Sequence, residues 1–206
     1  YGVFMLSSRV VMAAVVAVSA LGATQAQAEQ KLVSAQSEIN FAIKQMGVSV
    51  DGRFKKFDAQ IAFDPAKLDA SKIAFTVDVG SATMGSPESD SELPKASWFN
   101  AAKFPQATFQ STSIKALGGG KFDVSGKLSI KGTSRDVTVP VAMTQAGGTT
   151  TATGTFALKR LAYKIGENEW ADTSMVADDV QVKFKLALTG VCLLYTSDAA
   201  DERSSV

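Results

Sequence analysis

Few side chains in this 206-residue chain could carry out covalent or acid–base chemistry, and their spacing argues against the familiar kinds. Histidine is absent, which removes the commonest general base and the commonest transition-metal ligand together. No serine lies in a Gly-x-Ser-x-Gly elbow, and no imidazole exists to activate one. The Gly118-Gly119-Gly120-Lys121 run is not a phosphate loop, because Gly126-Lys127 is followed by Leu128 rather than by Ser or Thr. It reads as a hairpin turn. Glu88, Asp90 and Glu92 lack the glycine turn and terminal ligand of a calcium loop, so they read as a solvated acidic connection. Asp178-Asp179 reads as a turn before a last strand. No catalytic residue and no metal ligand is assigned. An enzyme would instead need a buried polar cluster inside the fold, for which Arg160 and Asp58 are the candidates.

Binding is the stronger class, and the elements that would build a binding site are strands. Ile39, Phe41 and Ile43 alternate with polar residues, the period of a half-buried strand. Val48, Val50, Gly52 and Phe54 alternate on even numbers, but Phe57, Ala59, Ile61 and Phe63 do so on odd ones. That change of parity requires an extra residue near Lys55-Lys56, a bulge or a sharp bend. Further alternating runs are Ile73 to Val79, Lys103 to Ser111, Phe122 to Ile130, Val137 to Val141, Thr149 to Leu158 and Val180 to Leu188. No amphipathic helix of any length intervenes. About eight antiparallel strands with short turns form a closed barrel or a sandwich, and the bulge and in-strand glycines favour the barrel. A barrel of that size either fills with side chains or holds one small ligand. Small residues among the phenylalanines (Gly52, Ala59, Gly126, Ala157) would leave a narrow tunnel unless large neighbours fill the spaces.

One stretch breaks the pattern. Trp98, Phe99, Phe104 and Phe109 surround Pro105, directly after the acidic run Pro87 to Pro94. It is either a loop pinned to the core or a short helical or loop lid over an apolar cavity. The candidate lining residues are Ile39, Phe41, Phe54, Phe75, Trp98, Phe109, Leu128, Phe156 and Phe184. Alternation gives their periodicity but not which face is the lumen.

The ends of the chain carry other signals. Residues 1–28 read as an export signal: Met5 to Arg9 is a short basic start, Val10 to Leu21 is apolar, and Ala26-Gln27-Ala28 has cleavage spacing. Cleavage is expected after Ala28, with Tyr1 to Phe4 lying upstream of the start. The domain is expected at 29–190. Residues 191–206 continue no pattern and read as a foreign or disordered tail. The one cysteine, Cys192, lies there, so no intramolecular disulfide forms. The whole chain carries a net charge of +1. Of its 21 Lys and Arg, Arg9 and Arg203 fall outside 29–190; of its 20 Asp and Glu, Asp198, Asp201 and Glu202 do, which leaves the domain at +2. Such balance, with no basic patch interleaved with aromatics, argues against nucleic acid as a partner.

Taken together, Ser37-x-Ile-x-Phe41, Gly52-Arg-Phe54 with Phe57-Asp58, Trp98-Phe99 before Phe104-Pro105-x-Ala-x-Phe109-x-Ser111, Gly126-Lys-Leu-x-Ile-Lys-Gly132 with Arg135-Asp-Val137, and Arg160-x-x-Tyr163 with Val180-x-Val-x-Phe184 resemble the YceI-like, polyisoprenoid-binding exported proteins. The resemblance covers nearly all of 32–190. It implies an all-β, lipocalin-like antiparallel barrel in the bacterial periplasm, whose tunnel holds an isoprenoid chain, a quinone tail or a fatty-acid derivative, with no other cofactor. Many members carry a histidine before the glycine of the first turn, where this chain has Gln45-Met46-Gly47. Gln45 is therefore the headgroup candidate, able to hydrogen-bond but without a titratable charge. The expected partner is a long-chain lipid, and a homodimer is a further expectation. Two rivals remain: an interaction module with a filled core, serving a membrane redox partner, and a lipid-modifying enzyme.

Overall fold

A computed structural model describes residues 29–193; the expected export signal at 1–28 and the end of the tail at 194–206 lie outside the described residues. Eleven strands and one short helix follow in the order β1 (Lys31–Leu32), β2 (Glu38–Gln45), β3 (Val48–Phe54), β4 (Phe57–Ala62), β5 (Lys72–Asp78), β6 (Ala82–Thr83), α1 (Pro87–Glu92), β7 (Gln106–Gly118), β8 (Lys121–Ile130), β9 (Thr133–Ala146), β10 (Thr149–Lys159) and β11 (Val176–Thr189). All pairings are antiparallel. The hydrogen-bonded path runs β4-β5-β7-β8-β9-β10-β11-β2-β3-β6, with β1 beside β11.

The strand count exceeds the eight or so expected because three long runs are broken. The β1–β2 run is interrupted by a 3-10 turn at Ser34–Gln36, the β3–β4 run at Lys55-Lys56, and the β5–β6 run by a 3-10 turn at Val79–Ser81. The change of parity between Phe54 and Phe57 is thus a real kink. Its partner strand kinks at the same level: Lys56 O accepts from Asp78 N at 3.0 Å, and Ser81 accepts from Lys55 N at 3.2 Å and, through its hydroxyl, from Lys56 N at 2.9 Å. Because β3 continues into β4 and β5 into β6, the two ends of the hydrogen-bonded path are covalently continuous. The curled sheet is closed by the chain itself.

The closure leaves two weak seams: β9 and β10 pair only from Thr149 opposite Ala146 to Gly154 opposite Val141, with no ladder between Thr133 to Pro140 and Thr155 to Lys159, and a second gap lies between the β1–β2 and β3–β4 runs. Pairing between β2 and β3 ends at Ile39 opposite Phe54, and no ladder joins β1 to β4. There Gln30 substitutes for a backbone rung, donating from Nε2 to Phe63 O and accepting from Phe63 N, both at 2.7 Å. A surface depression lined by Ser34, Ser37, Arg53 and Lys55 to Phe57 marks the split.

Two local features depart from the sequence expectation. Asp178-Asp179 is not a turn; it lies within β11, at an irregularity between Val176 and Val180. Asp178 accepts from Leu161 N at 2.9 Å and Asp179 pairs with Lys159 at 2.7 Å, so both carboxylates tie β11 to the end of β10. The boundary at Gly190 also moves. Val191 is buried, with its carbonyl accepting from Thr150 Oγ1 at 2.9 Å and Gln145 Nε2 at 3.3 Å, and Leu193 N donates to Gln145 at 3.0 Å. The barrel therefore packs at least through Leu193.

Three glycines decide how the wall is built. A Cβ on Gly52 would stand 2.2 Å from the ring of Phe41, one on Gly126 2.6 Å from Phe109, and one on Gly154 2.3 Å from Phe184. Phe41 is paired directly with Gly52, and Phe184 with Gly154. Each ring lies across a neighbouring backbone that has no side chain, instead of projecting across the lumen. Of the small residues read as facing inward, Gly52 and Gly126 have their gaps filled by rings, whereas Ala157 is exposed on β10 and does not face the interior. Gly126 and Gly154 also approach the carbonyl oxygens of Gln110 and Pro140, at 2.3 and 2.5 Å from the added carbon, whereas Gly52 faces only ring atoms. Gly126→Ala and Gly154→Ala are therefore expected to cost about 1–3 kcal/mol in urea unfolding, the range for overpacking a filled site. Gly52→Ala is expected to cost less, since Phe41 is free to swing inward. Equal losses at all three positions would contradict this account.

Candidate functional site

The barrel is hollow. A cavity of about 460 Å³ runs along its axis, lined almost entirely by aliphatic and aromatic side chains. All nine residues expected to line a lumen stand in its wall: Ile39 and Phe41 on β2, Phe54 on β3, Phe75 on β5, Phe109 on β7, Leu128 on β8, Phe156 on β10, Phe184 on β11, and Trp98 in the segment after α1. Seven of them, all except Phe41 and Trp98, are only half-buried although they face inward. A filled core would bury them fully, so the expectation of an interaction module with a filled core is not met. Gln45 stands at the end of β2, half-buried in the same wall.

Other lining residues were not among the nine, including Ile61, Phe63, Val139, Val141, Met143 and Leu186. Their alternation is as clear as that of the nine; only the choice of face was missing. Trp170 is different. It lies in a 3-10 turn, Asn168–Ala171, with no periodicity to mark it. Its one signal is compositional, as one of only two tryptophans in the chain.

The two ends of the cavity differ. At the far end the lining residue Phe63 packs edge to face on Phe122 behind it, 5.3 Å apart and 89° between planes, within a cluster that also holds Met143, Leu188 and Val191. At the near end lies the lid. Ser86 caps α1 by accepting from Ser89 N at 3.3 Å, Pro87 opens the first turn, and Glu88 and Asp90 occupy that turn, where negative charge is favoured. The acidic run is thus a short capped helix over the barrel mouth rather than an open loop. Glu88, Ser89, Glu92 and Leu93 all face the cavity. The carboxylate of Asp90 accepts from the Thr83 hydroxyl at 2.5 Å and from Met84 N at 2.7 Å, fastening α1 to β6. Ser97 O accepts from Gly166 N at 2.8 Å and Glu167 N at 2.9 Å, which joins the lid to the β10–β11 connection. Phe99 then reaches down to Phe54, 6.0 Å between centroids, and Phe54 to Phe41 at 5.3 Å, so the lid is tied to the wall through aromatics.

Arg160 explains the shape of that connection. It is 1% exposed, and all five of its N–H groups reach backbone carbonyls: Nε to Ala177 at 3.0 Å, Nη1 to Ile165 at 3.0 Å and Gly166 at 2.9 Å, Nη2 to Trp170 and Val176 at 2.6 Å each. Burial pushes its pKa below the ordinary arginine value, with Asp178 acting in the opposite direction. The guanidinium is a structural hub whose donors are all used, not an acid–base group. Asp58 offers no cluster either, since it faces outward on β4 and accepts only from Ala59 N. The buried catalytic cluster considered for an enzyme does not form around these two residues. Among the described residues no group of three or more Cys, Asp or Glu side chains is placed to hold a metal ion.

These features can be set beside known proteins. The sequence profile of the YceI-like domain matches residues 30–188. The chain belongs to the YceI-like family. A UPF0312 protein of Azotobacter vinelandii is 36% identical over 123 residues, which are 58% of this chain and 64% of that protein; the chain thus spans just under two thirds of that relative. Among solved structures, Burkholderia cenocepacia BcnA is 45% identical, with a TM-score of 0.73 over 76% of this chain and 98% of BcnA. A polyisoprenoid-binding domain from Saccharophagus degradans shares the fold, with a TM-score of 0.63 at 16% identity over 78% of this chain and 98% of the domain. The YceI-like barrel is therefore the shared scaffold.

Two outcomes follow for this YceI-like chain. Arg160→Leu leaves five carbonyls without their donor and is expected to destabilise the fold by on the order of 3–5 kcal/mol, read as a fall in the urea midpoint. Asp90 gives a pH dependence. Its pKa is held below the ordinary 3.8, first by the Thr83 hydroxyl, then by Met84 N–H, with Lys55 adding slightly. A depressed carboxyl contributes fully above its unfolded pKa, and the contribution is lost as pH falls through the lowered folded value. The lid should therefore loosen only in acid below the usual aspartate range, seen as a red shift of tryptophan emission that Asp90→Ala shows already at neutral pH.

Proposed function

We propose that this protein is a periplasmic binding protein that carries one long apolar lipid, an isoprenoid, a quinone-like molecule or a fatty-acid derivative, inside its barrel. The observation that carries this reading is the hollow, almost wholly apolar axis closed by a capped lid. Each methylene taken from water contributes about 0.8 kcal/mol. Roughly a dozen buried methylenes outweigh the cost of immobilising a chain without any strong polar anchor. The polyisoprenoid-binding domain that shares the fold supports the same ligand class, and the export signal read at 1–28 supports the compartment.

The chain is read as a carrier and not as a catalyst. Its most deeply buried charge, on Arg160, is committed to carbonyls, and the wall offers a reacting lipid no paired acid and base. A membrane redox partner fits as a donor or acceptor of the cargo, and a homodimer is compatible with the barrel.

Native mass spectrometry of the protein purified from the periplasm, followed by organic extraction, is expected to show a co-purifying lipid. Val182→Trp, which fills the middle of the cavity from β11, is expected to abolish that lipid while changing the melting temperature little. Repeated recovery of empty wild-type protein that takes up no offered isoprenoid or fatty-acid ester would remove the proposal.

A further inference from the structure

Among the described residues the large apolar side chains that stand most exposed are Met46 at 73%, Val48 at 66%, Leu117 at 52% and Met175 at 46%. Leu117 lies at the far end, before the β7–β8 turn. The other three meet at the lid end. Met46 opens the two-residue turn of the β2–β3 hairpin, Val48 pairs with Gln45 across it, and Met46 N donates to Met175 O at 2.8 Å. Two features set this arc apart from singly scattered apolar surface residues, which are ordinary. First, Met46 takes φ 47° and Gly47 φ 81°, a turn with both central residues left-handed, whose first position normally goes to Asn, Asp or Gly. A methionine there breaks the local preference and, being exposed, gains little packing in return. Second, Met46 and Met175 also belong to the cavity lining, and Val48 has the inward parity of Phe54 but stands beyond the wall. The apolar surface of the bore thus runs out over the rim on this side.

We propose that Met46, Val48 and Met175 form a docking arc by which the barrel mouth touches the surface of a neutral lipid bilayer, and that cargo crosses at this contact without passing through water. This rests on the lipid-carrier reading and adds the route by which the bore is loaded. Three side chains offer far less than the roughly 800 Å² per partner that a specific protein interface buries. A shallow, reversible insertion of a few apolar side chains suits a carrier that must leave the membrane again. Charge points the same way. The hairpin tip at 44–49 contributes one cation, Lys44, and the stretch 168–175 contributes Glu169 and Asp172. On α1, Glu88 faces the mouth, Glu92 is paired with Lys95 and Asp90 is held by Thr83. These elements carry no basic cluster to draw an anionic surface, so the contact depends on apolar area.

The probe is cis-parinaric acid methyl ester, offered to delipidated protein either from phosphatidylcholine vesicles or from cyclodextrin and followed by energy transfer from tryptophan. Uptake from vesicles by wild type is expected to rise in proportion to protein concentration, as contact requires, rather than level off at the rate at which the probe leaves the membrane. Val48 lies outside the cavity lining, so its variants change the contact and not the bore. Val48→Asp should slow uptake from vesicles about tenfold, the factor that burial of one valine side chain supplies. Val48→Trp should speed it, with the affinity measured from cyclodextrin unchanged in both variants. Salt and added phosphatidylglycerol should alter the rate little. A wild-type rate independent of protein concentration, Val48 variants that match wild type, or a rate that climbs with phosphatidylglycerol and falls with salt would each overturn the docking arc while leaving the carrier reading intact. Contact-dependent uptake seen only from vesicles that carry membrane proteins would overturn it in favour of a protein partner. No uptake from cyclodextrin would instead overturn the carrier reading, and the arc with it.

Discussion

The close approach of phenylalanine rings to bare glycine backbone is the contact on which this structure depends. A phenylalanine on the inside of a narrow barrel normally points at the axis, and a few of them fill it. Here Phe41, Phe109 and Phe184 have Gly52, Gly126 and Gly154 within their reach, so the rings lie along the wall. The contact keeps the aromatic area buried against the wall and it keeps the axis empty. It also supplies curvature, since glycine permits the local coiling that a closed sheet needs. Wall thickness, bore and closure thus share one cause.

From that cause the polarity of the interior follows. Inward positions are held apolar by the strand period, so polar groups enter only where the strands stop. They stop at the lid end, where α1, the segment around Trp98 and the β10–β11 connection meet over Arg160. Five carbonyls turned toward one guanidinium fix that connection.

Much of this was legible in the residues. The alternation of Ile39 to Ile43 and of Val180 to Leu188 indicates strands, and the parity shift between Phe54 and Phe57 locates the kink that lets the sheet close. The nine lining residues were found because large inward groups repeat at period two on neighbouring strands. What was not legible depends on three-dimensional encounters. Periodicity is blind to which face is concave, so Val139 and Met143 looked no different from ordinary core. Trp170 sits where no period exists, and its place in the wall comes from a carbonyl network that only the folded connection assembles. Val191 was set aside with the tail because one residue beyond a strand has no pattern, although Gln145 and Thr150 hold it in place. The count of strands differed because a 3-10 turn or a kink interrupts hydrogen bonding without interrupting the run.

The seam between the β1–β2 run and the β3–β4 run sets how the shell deforms. A second gap lies between β9 and β10 beyond Gly154, and the remaining circumference is a lattice of backbone hydrogen bonds, stiff against hoop tension. At the seam a single glutamine, Gln30, grips Phe63 by both its N–H and its C=O, and below it the strands part. An elastic ring stretches first at its soft sectors. Cargo of greater girth would therefore be accommodated by local widening at these joints, with the register of the paired strands preserved, so that a rigid-looking cylinder has an adjustable diameter built into its circumference.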